Sequence, residues 1–164
     1  MKKYLFTLIA ISLMAGASCQ QKTDSDKEMK ALTDKELKAW NNGNLSMIDE
    51  TFSAEGVMHI VDSEDLVGIQ AKKDYITSTR TSFPDFNVTF DETIIKGDNI
   101  VLRWTATGTN TGPYGELPPT GKKIKFSGAL ISHVVDGKIS EQWQHYNQAA
   151  TLTQLGFTIT PPVE

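Results

Sequence analysis

Along the chain the spacing of apolar residues changes from a continuous block to a helical repeat and then to alternation. The block runs from Tyr4 to Met14, behind Lys2 and Lys3. From Met29 the repeat is helical: Met29, Leu32, Leu37 and Trp40 share a face, and Asn41, Asn42 and Gly43 supply a stop. A short second helix brings Leu45, Ile48 and Phe52 together, and Val57 to Val61 read as a strand. Gly68 to Ser82 predict a third helix, which ends at Phe83 because the residue before Pro84 is pushed out of the helical region. The remainder alternates. Strands are expected over 86–95, 100–109, 124–135 and 138–147, with turns at 96–99 and at Asp136 and Gly137, and residues 149–155 form a closing helix. Helices first and hairpins afterwards predict an α+β domain, with helices packed on one face of a curved antiparallel sheet.

The N-terminal block has a different use. A positive start, an apolar stretch and the small residues Ala15, Gly16, Ala17 and Ser18 leading to Cys19 read as an export signal over residues 1–18. The block is shorter than the ~20 residues that span a bilayer as a helix. Cys19 is the only cysteine and stands where a bacterial lipoprotein signal places its acylated residue, although Gly16 replaces the usual aliphatic residue three positions earlier. The alternative is ordinary signal cleavage beside an unrelated cysteine. The expectation is a lipoprotein of the cell envelope, held to a membrane through Cys19 and facing the periplasm or exterior. Residues 19–28 would form a polar tether, 29–158 one domain and 159–164 a tail. A single cysteine excludes an internal disulfide. A net charge of −4 without a basic stripe excludes nucleic acid as a partner. The stretch from Gly108 to Gly121 lacks the GK[ST] ending of a phosphate loop and joins two strands.

The segments GTNTGPYGELPPTGKKI (108–124) and DGKISEQWQHYNQAATLTQLGF (136–157) resemble the SnoaL-like polyketide cyclase family of the nuclear transport factor 2-like superfamily. The likeness extends to residues 40–45, to Gly68, to Phe83, Pro84 and Asp85, and to Gly97 and Asp98. It implies a cone, a bent sheet covered by helices around an internal pocket, in a homodimer that takes a small-molecule ligand. In family cyclases an aspartate four residues after the last-strand tryptophan abstracts a proton alpha to a carbonyl. Here that tryptophan is Trp143 and the position holds Asn147, an amide that cannot accept the proton.

Family histidine positions are kept at His133 and His145. Strand alternation puts Trp143, His145 and Asn147 on one face, so His145 and Asn147 are the candidate catalytic pair, with His145 as base. His59, Trp104, His133 and Trp143 are candidate ligand-binding residues, His59 at a position where relatives also carry histidine. The three histidines come from separate strands without i,i+4 spacing, so neither a metal nor another cofactor is expected. Arg103 and Glu141 are read as a strand-to-strand ion pair. Two functions follow: an enzyme of proton transfer, cyclisation or isomerisation, or a ligand-binding or protein-interaction module that has lost its base.

Overall fold

The computed structural model describes residues 25–61 and 63–158. Cys19, the signal over 1–18 and the tail over 159–164 lie outside the described residues. Helix α1 occupies residues 25–42, so positions 25–28, expected in the tether, are already helical. Then come α2 (Ser46–Thr51), β1 (Phe52–Ile60), β2 (Leu66–Val67), α3 (Gly68–Ser82), β3 (Asn87–Lys96), β4 (Asn99–Thr109), β5 (Lys123–Val135), β6 (Lys138–Tyr146) and α4 (Gln148–Leu155). Phe52, expected in the second helix, instead opens β1. Among the described residues no helix is long and apolar enough to cross a membrane.

Among the described residues six strands form one curled sheet in the order β2-β1-β6-β5-β4-β3. β3 to β6 are successive antiparallel neighbours. β1 returns beside β6 in parallel, with an irregular register between Phe52 and Val57. The β5–β6 hairpin turns through Asp136 and Gly137, both at positive φ (50° and 72°), as a two-residue Asp-Gly turn requires.

Helices cover one sheet face. The buried side chains Met58 from β1, Ile100 and Leu102 from β4, Leu130 and Val134 from β5 and Ile139 from β6 meet Met29, Leu32 and Ala39 of α1, Ile48 of α2, Ile76 of α3 and Leu155 of α4. Burial of this apolar surface is the main stabilising term, roughly 25 cal/mol per Å² removed from water. Arg103 and Glu141 do not pair. β5 separates their strands, and Arg103 instead reaches Asp91 (3.1 Å) and Glu92 (3.3 Å) on neighbouring β3.

Candidate functional site

One end of the covered face stays open as a cavity of about 80 Å³. Its walls are mostly rings. Trp104 of β4, Phe126 of β5 and Tyr146 of β6 meet across three adjacent strands, with centroid distances of 5.5 Å (Trp104–Phe126), 5.5 Å (Phe126–Tyr146) and 6.3 Å (Trp104–Tyr146). Trp40 and Tyr75 close the helix side edge to face at 5.6 Å. Tyr114, in the β4–β5 connection, packs on Phe83 at 5.7 Å.

Polar contacts outside the cavity fix these walls. Arg80 donates to the carbonyls of Trp40 (2.9 Å) and Asn41 (2.8 Å), placing a cation at the C-terminal end of α1. Asn41 makes both backbone bonds of Val88, donating to its carbonyl at 2.9 Å and accepting from its N–H at 2.7 Å, which ties edge strand β3 to α1. Fully buried Asn110 holds the connection that carries Tyr114: its amide donates to the carbonyls of Gly112 and Ser82, and its oxygen accepts from the N–H and hydroxyl of Thr120.

Inside the cavity the polar atoms gather at one place. Gln144 donates from Nε2 to the Tyr75 hydroxyl at 3.4 Å. The Tyr114 and Tyr146 phenols line the same cavity and interact electrostatically with one another and with Tyr75. Burial pushes the Tyr75 phenol up to about 12, and burial with the neighbouring phenols raises that of Tyr146 further. Both therefore remain protonated donors at neutral pH. Among the described residues lining the cavity there is no carboxylate, imidazole or amine.

Of the candidate catalytic and ligand-binding residues, only Trp104 lines this cavity. Trp143 and His145 do share a face, but it is the outer one, because Gln142, Gln144 and Tyr146 take the inward positions of β6. His145 is exposed there, opposite Ala129. His133, opposite Glu141, is half-buried on the same outer face. Asn147 lies beyond β6 and is exposed; its Oδ1 accepts from the N–H of Ala150 at 2.9 Å and so caps α4. The expected convergence of His133, His145 and Asn147 on one pocket is corrected: alternation shows which side chains travel together and leaves open which set points inward.

His59 also faces outward. It stacks on Trp143 at 5.5 Å and contacts Glu141 through Nε2 (3.0 Å) and Asp65 through Nδ1 (2.8 Å). Hydrogen bonds to Glu141 and then Asp65 hold its pKa above 6.5, with a small opposing effect of burial. A native pKa above the unfolded one means that this contribution to stability is complete below pH 6.5 and is lost as pH rises through the native pKa. Urea unfolding between pH 5.5 and 8.5 should show that fall, and His59→Gln should remove it. An unchanged pH profile in the variant would show that the two contacts do not act through imidazole charge.

Behind the cavity lies a second polar group that the sequence pattern did not reveal. Lys72 of α3 and Glu36 of α1, 0 % and 3 % exposed, are paired at 2.8 and 2.9 Å. Gln142 accepts from Lys72 at 2.6 Å and donates to Ser132 Oγ at 2.9 Å, while Thr51 donates to Glu36 at 3.1 Å. Lys72 Nζ also sits 4.2 Å from the centroid of the Phe52 ring. Burial pulls the Lys72 pKa below 10.5, and Glu36 opposes that shift.

The chain has known structural relatives. AclR of Streptomyces galilaeus, described as a candidate hydroxylase, is 29 % identical with a TM-score of 0.70, over 83 % of this chain and 85 % of that one. IdmH of Streptomyces antibioticus, described as a candidate polyketide cyclase, is 26 % identical with a TM-score of 0.66, over 78 % and 98 %. A Catenulispora acidiphila protein described as having a ketosteroid isomerase-like fold, in complex with trimethylamine, has a TM-score of 0.67 at 16 % identity, over 79 % and 97 %, and speaks to the fold alone. Comparison with curated protein sequences gives no match. Residues 31–155, more than half of the chain, match the profile described as SnoaL-like polyketide cyclase, and the protein therefore belongs to that family.

Proposed function

We propose that this protein binds a small, partly apolar organic molecule in its ring-walled cavity without using the aspartate chemistry of the family's cyclases. The observation that carries the reading is the make-up of the cavity: aromatic walls, one cluster of neutral hydroxyl and amide groups, and no side chain among the described lining residues that can take a proton near pH 7. Asn147 supports it from outside, since it is an amide engaged as a helix cap. The proposed setting is the cell envelope, with Cys19 as the lipid anchor. Ser25, Glu28, Met29 and Leu32 of α1 lie along one groove with Asp98, Val134, Asp136 and Gly137. Those turns are at the opposite end of the strands from the β4–β5 connection, so a tether there would leave the cavity end turned to the aqueous phase.

Thr79→Phe provides the test, because it adds a ring to the cavity wall from an α3 position. A saturation-transfer NMR screen of neutral and charged organic compounds against the full chain should yield binders whose signal disappears in Thr79→Phe at unchanged thermal stability. Binders unaffected by the substitution would place binding elsewhere and overturn the reading. Mass spectrometry of the membrane fraction should find an acylated Cys19, and an unmodified exported chain would overturn the anchor.

A further inference from the structure

The volume and polarity of the cavity narrow its occupant further, on the premise that the cavity is the binding site. We infer that the ligand is a non-anionic compound that puts a single ring into the site and presents one hydrogen-bond acceptor, such as a ketone or lactone oxygen, to Tyr75, Tyr114 and Tyr146.

Size comes first. A cavity of about 80 Å³ is roughly half of the ~150 Å³ that encloses a benzene molecule, and lies far below the ~300–1,000 Å³ of sites for drug-sized ligands. One ring can enter with its edge left at the mouth. Fused rings have nowhere to go, because the far end is closed by Leu130 and, behind it, by the packed Lys72, Glu36 and Gln142 group.

Proton counting gives the acceptor. Each phenol has one hydrogen to donate. Among the described residues no group accepts a hydrogen bond from any of the three hydroxyls, all of which line the cavity. The Tyr75 oxygen already accepts from Gln144, whose amide therefore reinforces the cluster from below. The Tyr75 hydrogen is therefore left for an occupant of the cavity to accept. An acceptor satisfies it, whereas a purely apolar ring buries it without a partner, which is costly.

Negative charge is excluded by the same wall. No arginine, lysine or histidine is among the described lining residues, and the nearby Lys72 is engaged by Glu36 and Gln142. A carboxylate or phosphate would have to shed its water without gaining a counter-ion.

Isothermal titration of the full chain at pH 7 with four probes tests the inference: acetophenone (neutral, one ring, one acceptor), ethylbenzene (no acceptor), benzoate (anionic) and 1-tetralone (two fused rings). Acetophenone should bind at least tenfold more tightly than each of the others. In the variant Tyr75→Phe/Tyr114→Phe/Tyr146→Phe the preference for acetophenone over ethylbenzene should fall to near one, with retained ethylbenzene binding showing that the cavity is intact. Single substitutions are less informative because the remaining hydroxyls can redistribute their hydrogens. The wild-type ranking stands whether or not the triple variant folds. Benzoate or tetralone binding as well as acetophenone would overturn the inference, as would a preference that survives in a folded triple variant. If none of the four binds while other compounds bind in a manner blocked by Thr79→Phe, the ligand class is wrong and the cavity reading holds. If no binding responds to Thr79→Phe, both fail.

Discussion

Lys72→Met should lower stability by about 3–5 kcal/mol, the loss expected when one partner of a buried ion pair is removed and the other charge is stranded. The stranded group would be Glu36, 3 % exposed, left with the Thr51 hydroxyl and a 3.3 Å contact from Gln142 Nε2. The double variant Glu36→Leu/Lys72→Met should recover most of that loss, because it removes both charges together. Complete recovery is not expected: Gln142 Oε1 also loses its 2.6 Å donor, although Nε2 keeps Ser132. Urea denaturation of wild type, both single variants and the double variant closes the cycle. A Lys72→Met protein as stable as wild type would mean that water reaches Glu36, and would remove the closed floor that limits the cavity to one ring.

This pair also marks where sequence reasoning stopped. Glu36 and Lys72 are charged residues in amphipathic helices, and a binary pattern assigns such residues to solvent. Only the packing of α1 against α3 and β6 brings them together, and neither helix alone carries a signal of it. Local chemistry was far more legible. Pro84 marked the end of α3, and the Asp136–Gly137 pair marked a hairpin whose φ values are those an Asp-Gly turn requires. The strand boundaries of β3 to β6 were readable within about one residue because each alternates between turn residues.

Long-range choices were not legible. Nothing in Phe52–Ile60 announces a parallel partner in β6. On β6 two candidate faces competed: Trp143 and His145 against Gln142, Gln144 and Tyr146. The first carries a tryptophan and an imidazole, the second two amides, and the amides point inward because buried Lys72 and Tyr75 of α3 bond to them. A polar interior of this kind cannot be found from hydrophobicity. The three cavity tyrosines share no local pattern, because Tyr75, Tyr114 and Tyr146 come from a helix, a connection and a strand.

Gly128 joins the fold to the cavity, and Gly128→Ala should cost about 3 kcal/mol, the upper end of what overpacking a core usually costs. The glycine lies in the cross-strand row Trp104, Gly128, Tyr146, on the middle strand of the three. Having no side chain, it lets the rings of Trp104 and Tyr146 approach to 6.3 Å across β5 and form the cavity wall. A Cβ there would collide with the backbone carbonyl oxygen of His145 and come within 2.5 Å of Trp104 Cζ2. The first collision can be relieved only by shifting β6 against β5, the second by swinging the Trp104 ring out of its place. Both movements disturb the Tyr146 hydroxyl, so ligand affinity should fall along with stability. Adding Trp104→Phe to Gly128→Ala should recover part of the stability, since a smaller ring frees space while the clash with His145 persists. Denaturation and titration of the single and double variants would separate the two effects. No recovery in the double variant would assign the whole cost to the backbone contact, and wild-type affinity in Gly128→Ala would show that the wall tolerates a methyl group at its centre and that the close meeting of Trp104 and Tyr146 is not what shapes the site.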